Sequence, residues 1–90
     1  MKWKVEDKRA AKEISKLPLH IQENYKYWKR IITENGTEKL RDIRSYHFEK
    51  LSGKRAGQYS CRLSKGYRVI FDINKEIITV YVLEVNKHEY

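Results

Sequence analysis

The hydrophobic period of this chain changes once along its length, and that change limits what it can fold into. In "LHIQENYKYWKRIITEN" the apolar residues Ile21, Tyr25, Trp28 and Ile32 recur at spacings of three and four. Such spacing places them along one face of a helix. From Tyr59 onward the spacing is two. "QYSCRL" alternates Tyr59, Cys61 and Leu63 against Ser60 and Arg62, and "YRVIFDI" sets Tyr67, Val69, Phe71 and Ile73 on one side with Arg68 on the other. Successive side chains of a strand point to opposite faces, so each run predicts a strand with one buried face. Helices first and strands afterwards predict an α+β chain: two N-terminal helices followed by an antiparallel meander.

The punctuation agrees with that division. "MKWKV" reads as a short first strand with Trp3 and Val5 on one side. Asp7 is the expected N-cap of a helix over "KRAAKEISKL", where Ala10, Ile14 and Leu17 share a face. Pro18 ends that helix and begins the next, and Gly36 stops the second one. Residues 37–57 are ambiguous, with Leu40 and Ile43 permitting a short helical turn. "SKG" and "NKE" are turns between strands, and "IITVYVLEV" is a long β-branched strand, apolar on both faces and expected to be central. If "SKG" forms a three-residue loop, Leu63 pairs with Tyr67 and Arg62 lies opposite Arg68. Like charges directly opposite one another are unfavourable, and a bound phosphate would reverse that.

Charge then narrows the partner. The 90 residues, expected to form one domain over 1–90, carry a net charge of +8. No acidic residue lies between Glu49 and Asp72, a stretch that holds Lys50, Lys54, Arg55, Arg62, Lys65 and Arg68. A surface of this kind predicts a polyanionic partner, nucleic acid first and an acidic protein second. The single cysteine, Cys61, has no internal disulfide partner, which fits a reducing compartment, and its place on a strand predicts a buried thiol. The chain contains no apolar run long enough to span a membrane and no signal-peptide apolar region at its start. It has no phosphate-cradling glycine loop, zinc spacing or nucleophile elbow, and His20, His47 and His88 form no ligand pattern. No metal and no cofactor are therefore expected.

What remains suits work on a phosphodiester. Arg62 and Arg68 are placed to hold the non-bridging oxygens of one phosphate, with Lys50, Lys54, Arg55 and Lys65 on neighbouring phosphates. Glu49 is the candidate general base, and His88 and Tyr90 are the candidate proton donors. RNA supplies its own nucleophile, the 2′-hydroxyl, so one base, a cation or two and one acid suffice. Each residue also has a plainer reading: an exposed glutamate, a surface histidine, a tyrosine covering the core edge, a basic binding face. Tyr25 and Trp28 belong to the core by their spacing, whereas Tyr27 falls on another face. Composition and spacing alone therefore support a basic α+β domain that binds nucleic acid or an acidic peptide.

"LSGKRAGQYSCRLSKGYRVIFDI" followed by "VYVLEVNKHEY" resembles the RelE/ParE superfamily of bacterial toxins, the toxin halves of type II toxin–antitoxin modules. The wording is most similar to the RelE, YoeB and HigB-like mRNA interferases. The resemblance covers essentially the whole chain and implies a RelE-like α+β fold, two N-terminal helices packed on a twisted antiparallel sheet. It also implies an endoribonuclease that cleaves mRNA on the ribosome, in the 30S A site, by 2′-hydroxyl attack giving a 2′,3′-cyclic phosphate. It further implies a cytoplasmic bacterial protein, silenced by a cognate antitoxin in a hetero-oligomer on operator DNA. Residue by residue, Glu49 falls where the YoeB branch has its catalytic glutamate, and Arg68 in "GYRVIF" matches the arginine shared by the nuclease branches. Arg62 falls where RelE has a functional lysine, and His88 and Tyr90 resemble the tail residues of YoeB and RelE. Ser60 replaces a RelE lysine, and Glu89 separates His88 from Tyr90. Two other functions stay open: a ParE-like inhibitor of DNA gyrase without nuclease chemistry, and an RNA- or ribosome-binding domain that does not cleave.

Overall fold

The longest helix is built on the stripe that the sequence marks. In the computed structural model, which describes residues 2–87, helix α2 runs Leu19–Asn35 and buries Ile21, Tyr25, Trp28 and Ile32. These side chains pack into the core against the sheet, where Trp28 meets Phe71 edge-on with ring centroids 5.0 Å apart and Tyr25 stacks on Trp28 at 5.8 Å. Both distances lie in the favourable range for aromatic pairs. Before it, a 3₁₀ turn (Lys8–Ala10) leads into α1 (Ala11–Ser15), and Pro18 occupies the N-cap position of α2, its carbonyl accepting from Ile21 and Gln22. A short α3 (Lys39–Asp42) buries Leu40, as the ambiguous segment allows. A further 3₁₀ turn spans Arg44–Tyr46.

The strands are β1 (Lys4–Glu6), β2 (Glu49–Lys50), β3 (Tyr59–Arg62), β4 (Tyr67–Asn74) and β5 (Thr79–Lys87), in the order β1-β5-β4-β3-β2. Strands β2 to β5 form the antiparallel meander; β1 adds to β5 in parallel, so the five-stranded sheet is mixed. The parallel pairing follows from the connection, because the helices carry the chain from β1 across the sheet before the meander begins. Strand β4 takes the centre, and β5 is flanked on its far side by β1 only over Thr79–Tyr81. Cys61, Val69, Phe71, Val80, Val82 and Val85 supply the sheet's half of the core.

Two local expectations are corrected. Asp7 sits at the N-cap position but makes no capping bond. Its carboxylate instead accepts from the Tyr25 hydroxyl at 2.8 Å and the Lys29 ammonium at 3.1 Å, tying the first segment to α2. The last strand begins at Thr79 rather than Ile77, because Asn74 Oδ1 accepts from the backbone N–H of Glu76 and Ile77 and Ile78 takes a φ of +40°. That side-chain turn competes with the strand ladder, leaving Ile77 exposed.

Candidate functional site

The site forms where β2, β3 and β4 run side by side. The β3–β4 loop is Ser64–Gly66: the Leu63 N–H donates to the Tyr67 carbonyl at 2.9 Å, and Arg62 pairs with Arg68 across the strands. Two guanidinium groups therefore share one face of the sheet. Strand β2 adds Glu49 opposite Ser60, whose Oγ donates to Glu49 Oε1 at 3.4 Å. Cross-strand partners point to the same side, so Glu49, Ser60, Arg62 and Arg68 converge. They line one small cleft together with His47.

The core fixes this convergence. Phe48 stacks on Tyr59 at 5.6 Å and approaches Phe71 at 6.1 Å. With Phe48 turned inward, its neighbours on either side, His47 and Glu49, turn outward to the cleft. His47 has a φ of +47°, in the left-handed region, where the chain leaves the Arg44–Tyr46 turn and enters β2. Histidine tolerates that region better than most residues, and such conformations gather at functional sites. His47 is the site residue that sequence reading missed. The signal was the "HFE" triplet, an apolar residue between two polar ones at strand spacing.

Arg68 is half-buried, and its Nε makes no hydrogen bond among the described residues although it is shielded from solvent. A buried donor of a charged group left in this state is costly unless a ligand completes it. Arg62 is also half-buried and is engaged within the fold. Cys61, beside Arg62 but facing the core, is a free, buried thiol whose pKa burial pushes up to about 12. It is a packing residue.

The other basic residues are not equivalent. Lys50, Lys54 and Lys65 are exposed. Arg55 is paired: its Nη2 lies 2.7 Å from Glu84 Oε2, and its Nη1 donates to Gln58 Oε1 at 3.1 Å. The stretch that lacks acids of its own is therefore screened at that point by Glu84 on β5. His88 and Tyr90 lie outside the described residues. No helix is long and apolar enough to cross a membrane, and among the described residues no group of three or more metal-ligating side chains is gathered.

A family model described as the RelE-like toxin of the type II toxin–antitoxin system HigB matches residues 6–87. Among solved structures, an arginine-to-alanine double mutant of Escherichia coli RelE in the free state is 28% identical, with a TM-score of 0.68, over 99% of this chain and 86% of that one. The archaeal RelE–RelB complex of Pyrococcus horikoshii is 22% identical over 97% and 96% of the two chains, with a TM-score of 0.73. The YoeB–YefM complex of Staphylococcus aureus is 17% identical over both whole chains, with a TM-score of 0.72. The curated proteins gave no match. The match to the family model spans nearly the whole chain, and the α+β expectation stands with it: this chain belongs to the HigB-like family, the RelE-like toxins of type II toxin–antitoxin systems.

Proposed function

We propose that this toxin is an endoribonuclease that cleaves mRNA in the ribosomal A site, using its RNA substrate's own 2′-hydroxyl as nucleophile. The observation that carries this reading is the cleft in which Glu49, Arg62 and Arg68 meet, with a shielded Arg68 Nε lacking a partner among the described residues. A phosphate there completes the Arg68 donor and relieves the repulsion between the paired guanidinium groups. Glu49 takes the 2′-hydroxyl proton, the 2′-oxygen attacks phosphorus, and the bond to the 5′-oxygen breaks to leave a 2′,3′-cyclic phosphate. Arg62 and Arg68 hold the non-bridging oxygens as charge builds on them. His88 or Tyr90 delivers the proton to the departing 5′-oxygen, and His47, which lines the same cleft, is a further donor for that step. Lys50, Lys54 and Lys65 bind flanking phosphates, with Arg55 contributing less because Glu84 neutralises it.

A cognate antitoxin silences the protein, a reading supported by the toxin–antitoxin complexes among its structural neighbours. Action on translating ribosomes places it in the cytoplasm, and the toxin–antitoxin pair would act on its own operator DNA.

Primer extension on translated mRNA tests the activity. Discrete cuts within the A-site codon, absent with Arg68→Ala, support it. Intact mRNA with accumulated gyrase–DNA cleavage complexes, or intact mRNA with stalled ribosomes, overturns it in favour of the two non-nuclease functions.

A further inference from the structure

A second cavity shares a wall with the cleft. It encloses about 410 Å³ between α2, the Arg44–Tyr46 turn and the β3–β4 loop, and Arg62 lines both spaces. The volume falls in the range of about 300–1,000 Å³ typical of small-ligand sites. Its lining is mixed. Tyr27 offers an exposed ring, 58% accessible, on the face of α2 away from the core. Asn24, Ser45 and Ser64 supply polar groups. The Asn24 amide is fixed, because its Nδ2 donates to the Leu63 carbonyl at 2.8 Å, which leaves Oδ1 as the acceptor.

Tyr46 also lines this cavity. It is only 7% exposed, and its hydroxyl is buried without a hydrogen-bond partner among the described residues. Burial, with Cys61 and Tyr27 facing it, pushes the phenol up to about 12, so it stays protonated and donates. A buried hydroxyl is costly to leave unpaired. A flat ring, a fixed acceptor and an unsatisfied donor, beside paired arginines, match a flat ligand with polar edges attached to a phosphate.

We propose that this cavity is a base-binding subsite, taking one unpaired nucleobase of single-stranded RNA next to the phosphate held by Arg62 and Arg68. The base stacks on Tyr27, and its edge meets the Tyr46 hydroxyl and the Asn24 carbonyl. The subsite deepens the nuclease reading and depends on it only for the identity of the adjoining phosphate. Sequence preference at the cut would then arise in part from the toxin itself rather than from the ribosome alone.

The test titrates the isotope-labelled full chain with a short 2′-O-methylated oligoribonucleotide, which supplies no 2′-hydroxyl nucleophile, and with the same backbone lacking bases. Amide shifts at Asn24, Ser45 and Ser64 are expected with the base-bearing strand alone. Tyr27→Ala, at an exposed position, should weaken that binding about tenfold, within the range of base–aromatic stacking. Equal shifts from the abasic strand, no shifts with either, or unchanged affinity in Tyr27→Ala overturn the proposal. Primer extension with wild type separates the two readings. If no translated mRNA is cut, the nuclease reading fails while the titration still decides the base site. If cuts occur, Tyr27→Ala should flatten the base preference beside them, and an unchanged preference overturns the subsite.

Discussion

At the scale of single residues, the two arginines that pair across β3 and β4 are the feature to break. Arg68→Ala is expected to abolish growth arrest while leaving the fold intact, because the side chain lies opposite the core-facing Val69 and Phe71. Loss of a preorganised donor to a developing charge lowers turnover by about 10²–10³-fold; growth at matched expression and a thermal melt check both halves. Glu49→Gln keeps shape and removes basicity, so single-turnover cleavage should fall more than ribosome binding does. Equal losses in both assays would make Glu49 a binding residue. Cys61 gives a pH signature. Its folded pKa is raised from 9.0 to about 12, so the unfolded thiol loses its proton first as pH climbs. Stability from this group is complete below pH 9 and is lost toward pH 12, with a slope near 1.4 kcal/mol per pH unit for one group. Denaturant melts of Cys61→Ala across pH 8.5 to about 10.5 should show a shallower alkaline decline than wild type.

At the scale of elements, the joints between the first segment, α2 and the sheet are made by side chains. The Asp7 carboxylate is pulled up by burial but held below its ordinary range by the Tyr25 hydroxyl and the Lys29 ammonium. That joint is therefore present above the unfolded carboxylate's range and weakens as pH falls through the lowered folded value. Tyr25→Phe removes one of its bonds and should cost about 1–2 kcal/mol in a urea melt. Gly36, after α2, has φ +80° and ψ −179°, a conformation open essentially to glycine. A Cβ there would also lie 2.9 Å from Trp3 Nε1, so Gly36→Ala should destabilise by about 1–3 kcal/mol. Calorimetry of that variant checks it. Glu13 makes a second joint, its carboxylate accepting from the Val85 N–H at 3.1 Å and fastening α1 to β5 beyond the end of β1.

At the scale of the whole molecule, the net charge of +8 is distributed rather than uniform. Lys50 and Lys54 are exposed, and no ion pair engages them among the described residues, whereas Arg55 is bridged to Glu84. Each phosphate contact on a single strand contributes about 0.7 to the salt slope of binding. Lys54→Ala is therefore expected to lower the slope by about that amount, and Arg55→Ala by less. Binding isotherms of single-stranded RNA over a range of salt concentrations decide this, and equal effects of the two changes would remove the distinction.

The sequence by itself determined the class of structure and named candidates for the site. The three-to-four spacing of Ile21, Tyr25, Trp28 and Ile32, and the alternation through Tyr59–Leu63 and Tyr67–Ile73, fixed which faces are buried, because a periodic apolar face has one economical way to leave water. The short loop at "SKG" set the Arg62–Arg68 pairing, since register in a hairpin follows from loop length. Glu49, Arg62 and Arg68 were named as candidates from the resemblance, and the fold brings all three to one cleft. Only the tertiary structure decided the rest. Asp7 was free by sequence to cap a helix, and packing gave it Tyr25 and Lys29 instead. Arg55 looked unscreened because its partner, Glu84, lies two strands away in the sheet from β3 and distant along the chain. His47 entered the cleft because Phe48 was drawn into the core, and the buried Tyr46 hydroxyl has no hydrogen-bond partner among the described residues. Local periodicity records which side of an element meets water; which polar group meets which across the fold depends on long-range geometry that no local pattern carries.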